Sequence, residues 1–275
     1  SAGIKGTGLG FGLAVISSDV NGDGWPDLLV TNDYIEPDYL YINNGNGTFT
    51  DRLKEQLQHI SHFSMGADIA DLNHDGKPEI FTLDMLPEDN ERQKLLYGPE
   101  NYEQYNLMLN RNFYHQLMRN MLHVNHGNGL FSEVGQLAGI SNTDWSWAPL
   151  FADFDNDGNK DLFISSGIVK RPVDLDYIRF VSDLVAKMDL KDTKKYDKEA
   201  IDKMPDGASH PYFYQGSGSL KFDDVSEEWG TSDIKGYFNG ASYADLNNDG
   251  NLDMVINSLN SRALVLKNNA PPKYT

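Results

Sequence analysis

Asp153-Phe154-Asp155-Asn156-Asp157-Gly158-Asn159-Lys160-Asp161 carries carboxylates at its first, third, fifth and ninth residues and glycine at its sixth. The same form, D-x-[DN]-x-D-G-x-x-[DE], recurs at Asp19–Asp27, Asp71–Glu79 and Asp245–Asp253. Oxygens at positions 1, 3 and 5 can converge on one hard cation when glycine at 6 permits the tight turn. A backbone carbonyl at position 7 and the acid at 9 complete such a shell. The expected ligands of the first copy are Asp19, Asn21, Asp23, Trp25 (through its carbonyl) and Asp27. Those of the second are Asp71, Asn73, Asp75, Lys77 and Glu79. The third copy supplies Asp153, Asp155, Asp157, Asn159 and Asp161, and the fourth Asp245, Asn247, Asp249, Asn251 and Asp253. Oxygen-only ligation at this density suits Ca²⁺, about four ions in all, better than Zn²⁺ or Mg²⁺.

An EF-hand loop begins the same way but needs a bidentate Glu at position 12 and a helix on each side. Position 12 here is Val30, Thr82, Ile164 and Ile256, so that ligand is missing from every copy. The flanks read as strands instead: Phe11–Ile16, Met65–Ala70, Ala148–Ala152 and Gly240–Ala244 upstream, Leu28–Thr31, Ile80–Leu83, Leu162–Ser165 and Met254–Asn257 downstream. These are short apolar runs rich in β-branched and aromatic residues. The competing reading, Asp-Gly turns that merely close hairpins, leaves four filled sets of ligand positions without a reason.

Similarity continues past the loops. Tyr39-Leu-Tyr-Ile-Asn-Asn-Gly-Asn-Gly-Thr-Phe49, Met121-Leu-His-Val-Asn-His-Gly-Asn-Gly-Leu-Phe131 and Tyr212-Phe-Tyr-Gln-Gly-Ser-Gly-Ser-Leu-Lys-Phe222 each read as strand, Asn/Gly turn, strand. Four antiparallel strands per repeat predict an all-β fold of β-propeller blades. Blades are expected at about 7–54, 62–138, 145–229 and 238–269. The loop starts at Asp19, Asp71, Asp153 and Asp245 lie 52, 82 and 92 residues apart. The excess falls between the second and third strands, as insertions at 87–120 and 170–210. The later insertion reads as partly helical, with Ile178, Val181, Val185 and Met188 as a stripe to dock on the body. In the earlier one, Leu107–Met118, with Phe113, Tyr114 and Leu117, is expected to be helical. Both insertions should crown the face opposite the Ca²⁺ loops.

These loops, and the Asn43-Asn-Gly-Asn-Gly-Thr-Phe49 stretch, resemble the FG-GAP/VCBS repeats of integrin-α-like propellers, in the group that carries an ASPIC/UnbV domain. The resemblance spans nearly the whole chain outside the insertions. It implies structural Ca²⁺ sites and an exported or cell-surface protein, many relatives being lipoproteins in Bacteroidota. Ala2-Gly3-Ile4 matches Ala138-Gly139-Ile140, which follows a fourth strand, so the chain reads as a piece of a longer propeller. The last blade lacks an evident fourth strand.

The composition fits this reading. Forty-one acidic against twenty-three basic residues leave a net charge of −18, which argues against a nucleic-acid backbone as partner. A hydrophobic content of 39% is too high for a disordered acidic chain, and no run is long enough to span a bilayer. With no cysteine, disulfides, thiolate metal sites and thiol nucleophiles are excluded together.

Candidates for catalysis are few. His123 and His126 align with strand and turn positions of the first repeat, His59 and His62 precede a strand, and His74 is a non-ligand loop residue. No nucleophile elbow or Walker A sequence occurs, and Gly6-Thr-Gly-Leu-Gly10 precedes a strand, where it suits blade geometry. Trp145 and Trp147 alternate beside Asp144 and suit either inter-blade packing or a sugar-stacking platform. Together these features read as a Ca²⁺-stabilised extracellular or surface propeller that binds or scaffolds protein or glycan ligands, with an outer-membrane assembly as one setting. The alternative is a polysaccharide-active lyase or hydrolase with its site on the insertion face.

Overall fold

Each nonapeptide turns one strand back on another. β1 (Phe11–Ser18) enters the first loop and β2 (Asp27–Asp33) leaves it, with Ser18 opposite Asp27. β3 (Tyr39–Asn43) and β4 (Phe49–Asp51) complete an antiparallel sheet in chain order. α1 (Leu53–Gln56) and β5 (Ile60–Ser61) lead to β6 (Ala67–Ala70) and β7 (Glu79–Thr82) around the second loop. α2 (Asn90–Leu96), α3 (Tyr102–Asn110) and β8 (Gln116–Leu117) intervene before β9 (Met121–Asn125) and β10 (Phe131–Glu133) finish that sheet. After α4 (Gly135–Ala138), β11 (Ser146–Ala152) and β12 (Asp161–Ser166) flank the third loop. β13 (Ile168–Lys170), α5 (Leu175–Ala186), α6 (Thr193–Lys203) and β14 (Asp206–Gly207) come next. The hairpin of β15 (Tyr212–Gly216) and β16 (Phe222–Asp224) then closes the third sheet. β17 (Phe238–Ala244), β18 (Asp253–Ser258) and β19 (Leu264–Leu266) make the fourth, three-stranded among the described residues. The computed structural model describes residues 2–5, 10–96, 102–187 and 193–271.

The first strands of successive sheets neighbour one another, β1 beside β6, β6 beside β11 and β11 beside β17, so the sheets are arrayed as blades. The hydrophobic core is divided among the spaces between them. Leu29 and Leu40 of the first sheet meet Ile80 and Phe131 of the second. Phe81 and Leu122 of the second meet Phe151, Leu162 and Phe222 of the third. Phe163 and Phe213 of the third meet Phe238, Met254 and Ile256 of the fourth. A sheet covered on both faces needs apolar residues at consecutive positions, which is why Leu162-Phe163-Ile164 reads as a continuous apolar run. The fold is thus all-β and propeller-like.

Two expectations about the insertions are corrected. The predicted helix at Leu107–Met118 ends at Asn110, because Asn112 and Tyr114 take positive φ values of 66° and 70°. Tyr114 instead turns its hydroxyl onto the carbonyl of Leu57 at 2.6 Å, and Leu117 lies in β8, which pairs in parallel with β5. In the later insertion Ile178 and Val185 face solvent, at 44% and 57% exposure. The partly buried face of α5 is instead Tyr177, Phe180, Val181 and Leu184, an alternative stripe of the same helical period. Met188 lies outside the described residues. α5 packs against α6 and against α2, so the two insertions touch.

Buried acids tie the insertions to the body. Asp144, in the connection before β11, accepts a bidentate pair from Arg171 with both N–O distances 2.8 Å, and it also pairs with Arg92. Those arginines come from different insertions, so one carboxylate anchors both. Asp38 accepts from the Asn32 amide and the Ser64 hydroxyl, and Asp84 accepts from the Ser61 hydroxyl and the His62 and Phe63 amides. Burial pushes Asp38 up to about 7 and Asp84 up to about 6.

Removing the Asp144 carboxylate strands the buried Arg171 guanidinium, and breaking a buried pair from one side costs roughly 3–5 kcal/mol. Asp144→Asn is expected to lower unfolding free energy on that scale in urea denaturation, with faster proteolysis within 87–120 and 170–210. Asp38 and Asp84 have folded pKa values above their unfolded ones, so the folded state holds protons that the unfolded state has released. Their contribution is therefore lost as pH rises from about 4 to about 7. Asp38→Asn should flatten that decline in melts run in chelator.

Candidate metal-binding loops

The four nonapeptides share one hydrogen-bond plan. The position 1 acid accepts the glycine amide of position 6: Asp19 from Gly24 at 2.8 Å, Asp71 from Gly76 at 3.0 Å, Asp153 from Gly158 and Asp245 from Gly250 at 2.9 Å. The position 3 oxygen of Asn21, Asn73, Asp155 and Asn247 accepts the position 5 amide. Position 5, Asp23, Asp75, Asp157 and Asp249, accepts the amide of Trp25, Lys77, Asn159 and Asn251. Backbone donors thereby hold the oxygens of positions 1, 3 and 5 on one side of a tight turn.

Two residues per loop occupy the left-handed region. The glycines at position 6 have φ between 80° and 98°, as expected of the turn. Position 4 is also left-handed, in Gly22, His74, Asn156 and Asn248. The sequence reading assigned position 4 no role; its signal is the Gly, His and Asn usage, residue types that tolerate positive φ.

The position 9 acid does more than the sequence reading gave it. Asp27 accepts from Val20 at 3.0 Å with one oxygen and from Asn43 at 2.7 Å with the other. Asp161 bridges Phe154 and Gly216 at 2.8 and 3.0 Å, and Asp253 bridges Leu246 and Asn268 at 3.2 and 2.8 Å. Glu79 likewise takes the amide of Leu72 at 2.8 Å with Oε2. The three aspartates each join position 2 of their own loop to the end of the third strand of their sheet. All four are buried. Burial raises Asp27, and pushes Glu79 and Asp161 up to about 7, against the lowering by these amides.

In the third loop Asp153, Asp155 and Asp161 bring one carboxylate oxygen each within 4.8 Å of the others. The remaining loops carry Asn at position 3, so the corresponding group there is an amide oxygen. Cationic or amide donors lie against these carboxylates: Lys77 on Asp75 at 3.3 Å, Lys267 on Asp249 at 3.5 Å and the Asn21 amide on Asp23 at 3.0 Å. Glu79 Oε1 is buried without a partner beside its loop. An all-oxygen donor set, pre-ordered by backbone amides, with one buried acceptor unmet, fits a hard divalent cation.

The other candidates resolve differently. His123 is buried in β9, pushed down to about 4 by burial, while His126 bonds the Ser132 hydroxyl at 2.7 Å in the following turn. They do not form a pair. Trp145 and Trp147 stack at 6.5 Å between ring centres and pack on the core between the second and third sheets, with Trp147 Nε1 donating to the Gly167 carbonyl. That is inter-blade packing. Gly10 closes against Asn32, and Gly6–Leu9 lie outside the described residues.

Gly250 has φ 89° and open space where a Cβ would project, so an added methyl meets only backbone strain. Gly250→Ala should lose about 1 kcal/mol in chelator, read by thermal melting. A profile of the family described as FG-GAP-like repeat matches residues 19–82 and 110–164. No curated protein matches the chain. The fourth nonapeptide, outside the matched stretches, adopts the same hydrogen-bond plan as the first three. Two stretches of the chain are thus similar to FG-GAP-like repeats.

Proposed function

We propose that the four loops hold structural Ca²⁺ and that the propeller-like body serves as an extracellular binding or scaffold module for a protein or glycan ligand. The observation that carries this is the repetition of one amide network around oxygen donors in four separate loops. Asp19, Asn21, Asp23, Asp27 and their equivalents at each repeat would hold the ion, with the position 7 carbonyls of Trp25, Lys77, Asn159 and Asn251. The ion would supply positive charge among acids that otherwise repel one another. Thirteen of the forty-one acidic residues occupy these positions, and four divalent ions would offset eight of the eighteen net negative charges.

Magnitudes favour a stabilising role. Extracellular Ca²⁺ sites bind with Kd of about 10⁻⁴ M at their tight end. At millimolar Ca²⁺, linkage then yields roughly 1.4–1.8 kcal/mol per site. Four sites together contribute about 6 kcal/mol, comparable with the whole stability of an ordinary domain. Cytosolic Ca²⁺ would leave such sites mostly empty, which supports an extracellular setting. Among the described residues no helix is long and apolar enough to cross a membrane. The insertions, joined through Asp144 and α2–α5 packing, offer the body its most elaborated surface.

Calorimetry tests the metal reading. Millimolar Ca²⁺ should raise the melting temperature of chelator-treated protein by several degrees, and titration should saturate near four ions. Asp157→Asn, at a position that is aspartate in all four loops, should remove most of one ion's share of that gain. A transition unmoved by excess chelator overturns the proposal.

A further inference from the structure

The outer strands of the first three sheets share a pattern that the fourth sheet does not supply among the described residues. β4 reads Phe49-Thr-Asp51, β10 Phe131-Ser-Glu133 and β16 Phe222-Asp-Asp224. Phe131 and Phe222 insert into the core shared with the preceding sheet, at 3% and 7% exposure. Phe131 sits there with Val20, Leu40 and Ile80, and Phe222 with Leu72, Leu122 and Leu162. In each case the three residues are position 2 of the preceding loop, the second residue of the preceding third strand, and the second residue of the second strand in the phenylalanine's own sheet.

The equivalent residues around the fourth sheet are Phe154, Phe213 and Met254. Together with Trp229, Leu252 and Leu266 they line an open groove of about 440 Å³. β19 borders it and pairs only with β18 among the described residues. The third-strand end is nevertheless built as in the other sheets: the Asn268 amide donates to Asp253 as Asn43 donates to Asp27 and Gly216 to Asp161. The next residues break the likeness. Where Asn44-Gly-Asn-Gly-Thr-Phe49 returns the chain as a hairpin, the fourth repeat has Asn269-Ala-Pro-Pro272, and proline can neither donate to a ladder nor continue this turn.

We infer that this groove and the edge of β19 accept the Phe-x-Asp/Glu outer strand of a further FG-GAP-like repeat, added antiparallel to Leu264–Leu266. The other sheets set the register. Phe49 lies opposite Asn43, Phe131 opposite Asn125 and Phe222 opposite Gly216, with the acid two residues later opposite Tyr41, His123 and Tyr214. The incoming phenylalanine therefore lies opposite Asn268 and enters the groove, and its acid lies opposite Leu266. Main-chain bonds to an open edge supply affinity, and the aromatic pocket supplies selectivity. A second copy of this chain is the wrong occupant, since its own strands of this pattern are engaged in their sheets.

The probe is a synthetic peptide of residues 126–136 of this chain, titrated calorimetrically into the protein beside the same peptide bearing Phe131→Ala. The first should bind saturably and the second at least tenfold more weakly, as burial of one phenylalanine predicts. Met254→Trp, which fills the groove, should abolish binding; Leu266→Glu, at the half-buried rim, should weaken it tenfold or more if the first variant does not fold. Nuclear Overhauser contacts from the peptide phenylalanine to Met254 would fix the register. Equal affinity of both peptides, or binding indifferent to both variants, overturns the inference. So does self-association abolished by Met254→Trp without a peptide response, which would assign the groove to a second copy. Repeating the titration in chelator separates this result from the Ca²⁺ proposal.

Discussion

One buried carboxylate per repeat carries the architecture. Asp27, Asp161 and Asp253 each bind an amide of their own loop and an amide at the end of the third strand, and Glu79 binds the amide of its own loop. A carboxylate in an apolar interior is expensive unless its oxygens are satisfied, so the loop and the third strand must both arrive in place. Loop geometry and sheet order are therefore fixed by the same group. An apolar replacement at any of the three aspartates would orphan two amides at once.

This constraint separates what was legible in the chain from what was not. The strands around each loop were legible because their apolar runs are short and bounded by turn residues. The ninth position was legible as an acid but not as a clamp, since its second partner, Asn43 or Asn268, is about sixteen residues away and nothing local marks the pairing. The insertions were harder. Leu107–Met118 has helical composition, yet the left-handed Asn112 and the Tyr114 hydroxyl bond divert the chain into β8. At α5 the choice of Ile178 and Val185 over Tyr177 and Leu184 shifted the docking face, because adjacent apolar residues allow two stripes and only packing against α2 and α6 selects one.

Acid plays two distinct parts in this molecule. In the loops most of it lies in exposed or half-exposed turns, where amide donors pre-order it and a cation would neutralise it, with one buried acid per loop at position 9. On the insertion side it is buried and paired with specific donors: Asp144 with two arginines, Asp38 and Asp84 with serines and amides. A net charge of −18 says nothing of this division, which sets how each group responds to its surroundings. On the proposed function the loop acids would answer to divalent cation, whereas Asp38 and Asp84 answer to pH.

The loops also reach across the blade interfaces. Val20, Leu72 and Phe154, each at position 2, are buried in the core shared with the following sheet. Asn125 donates from its side chain to the Val20 carbonyl at 2.8 Å, and Asn268 does the same to Phe154. The third sheet has Gly216 at that place, where a Cβ would lie 2.0 Å from the Lys160 carbonyl oxygen, and Gln215 reaches the Asp155 carboxylate instead. Order within a loop is thus transmitted to its neighbour through position 2, by packing everywhere and by an amide bond at two of three junctions. In a linear array, where each repeat contacts only its neighbours, stability divides into repeat and interface contributions. A cation that rigidified one loop would act on both, and the junction without the amide, between the second and third sheets, would couple more weakly unless its aromatic core made up the difference.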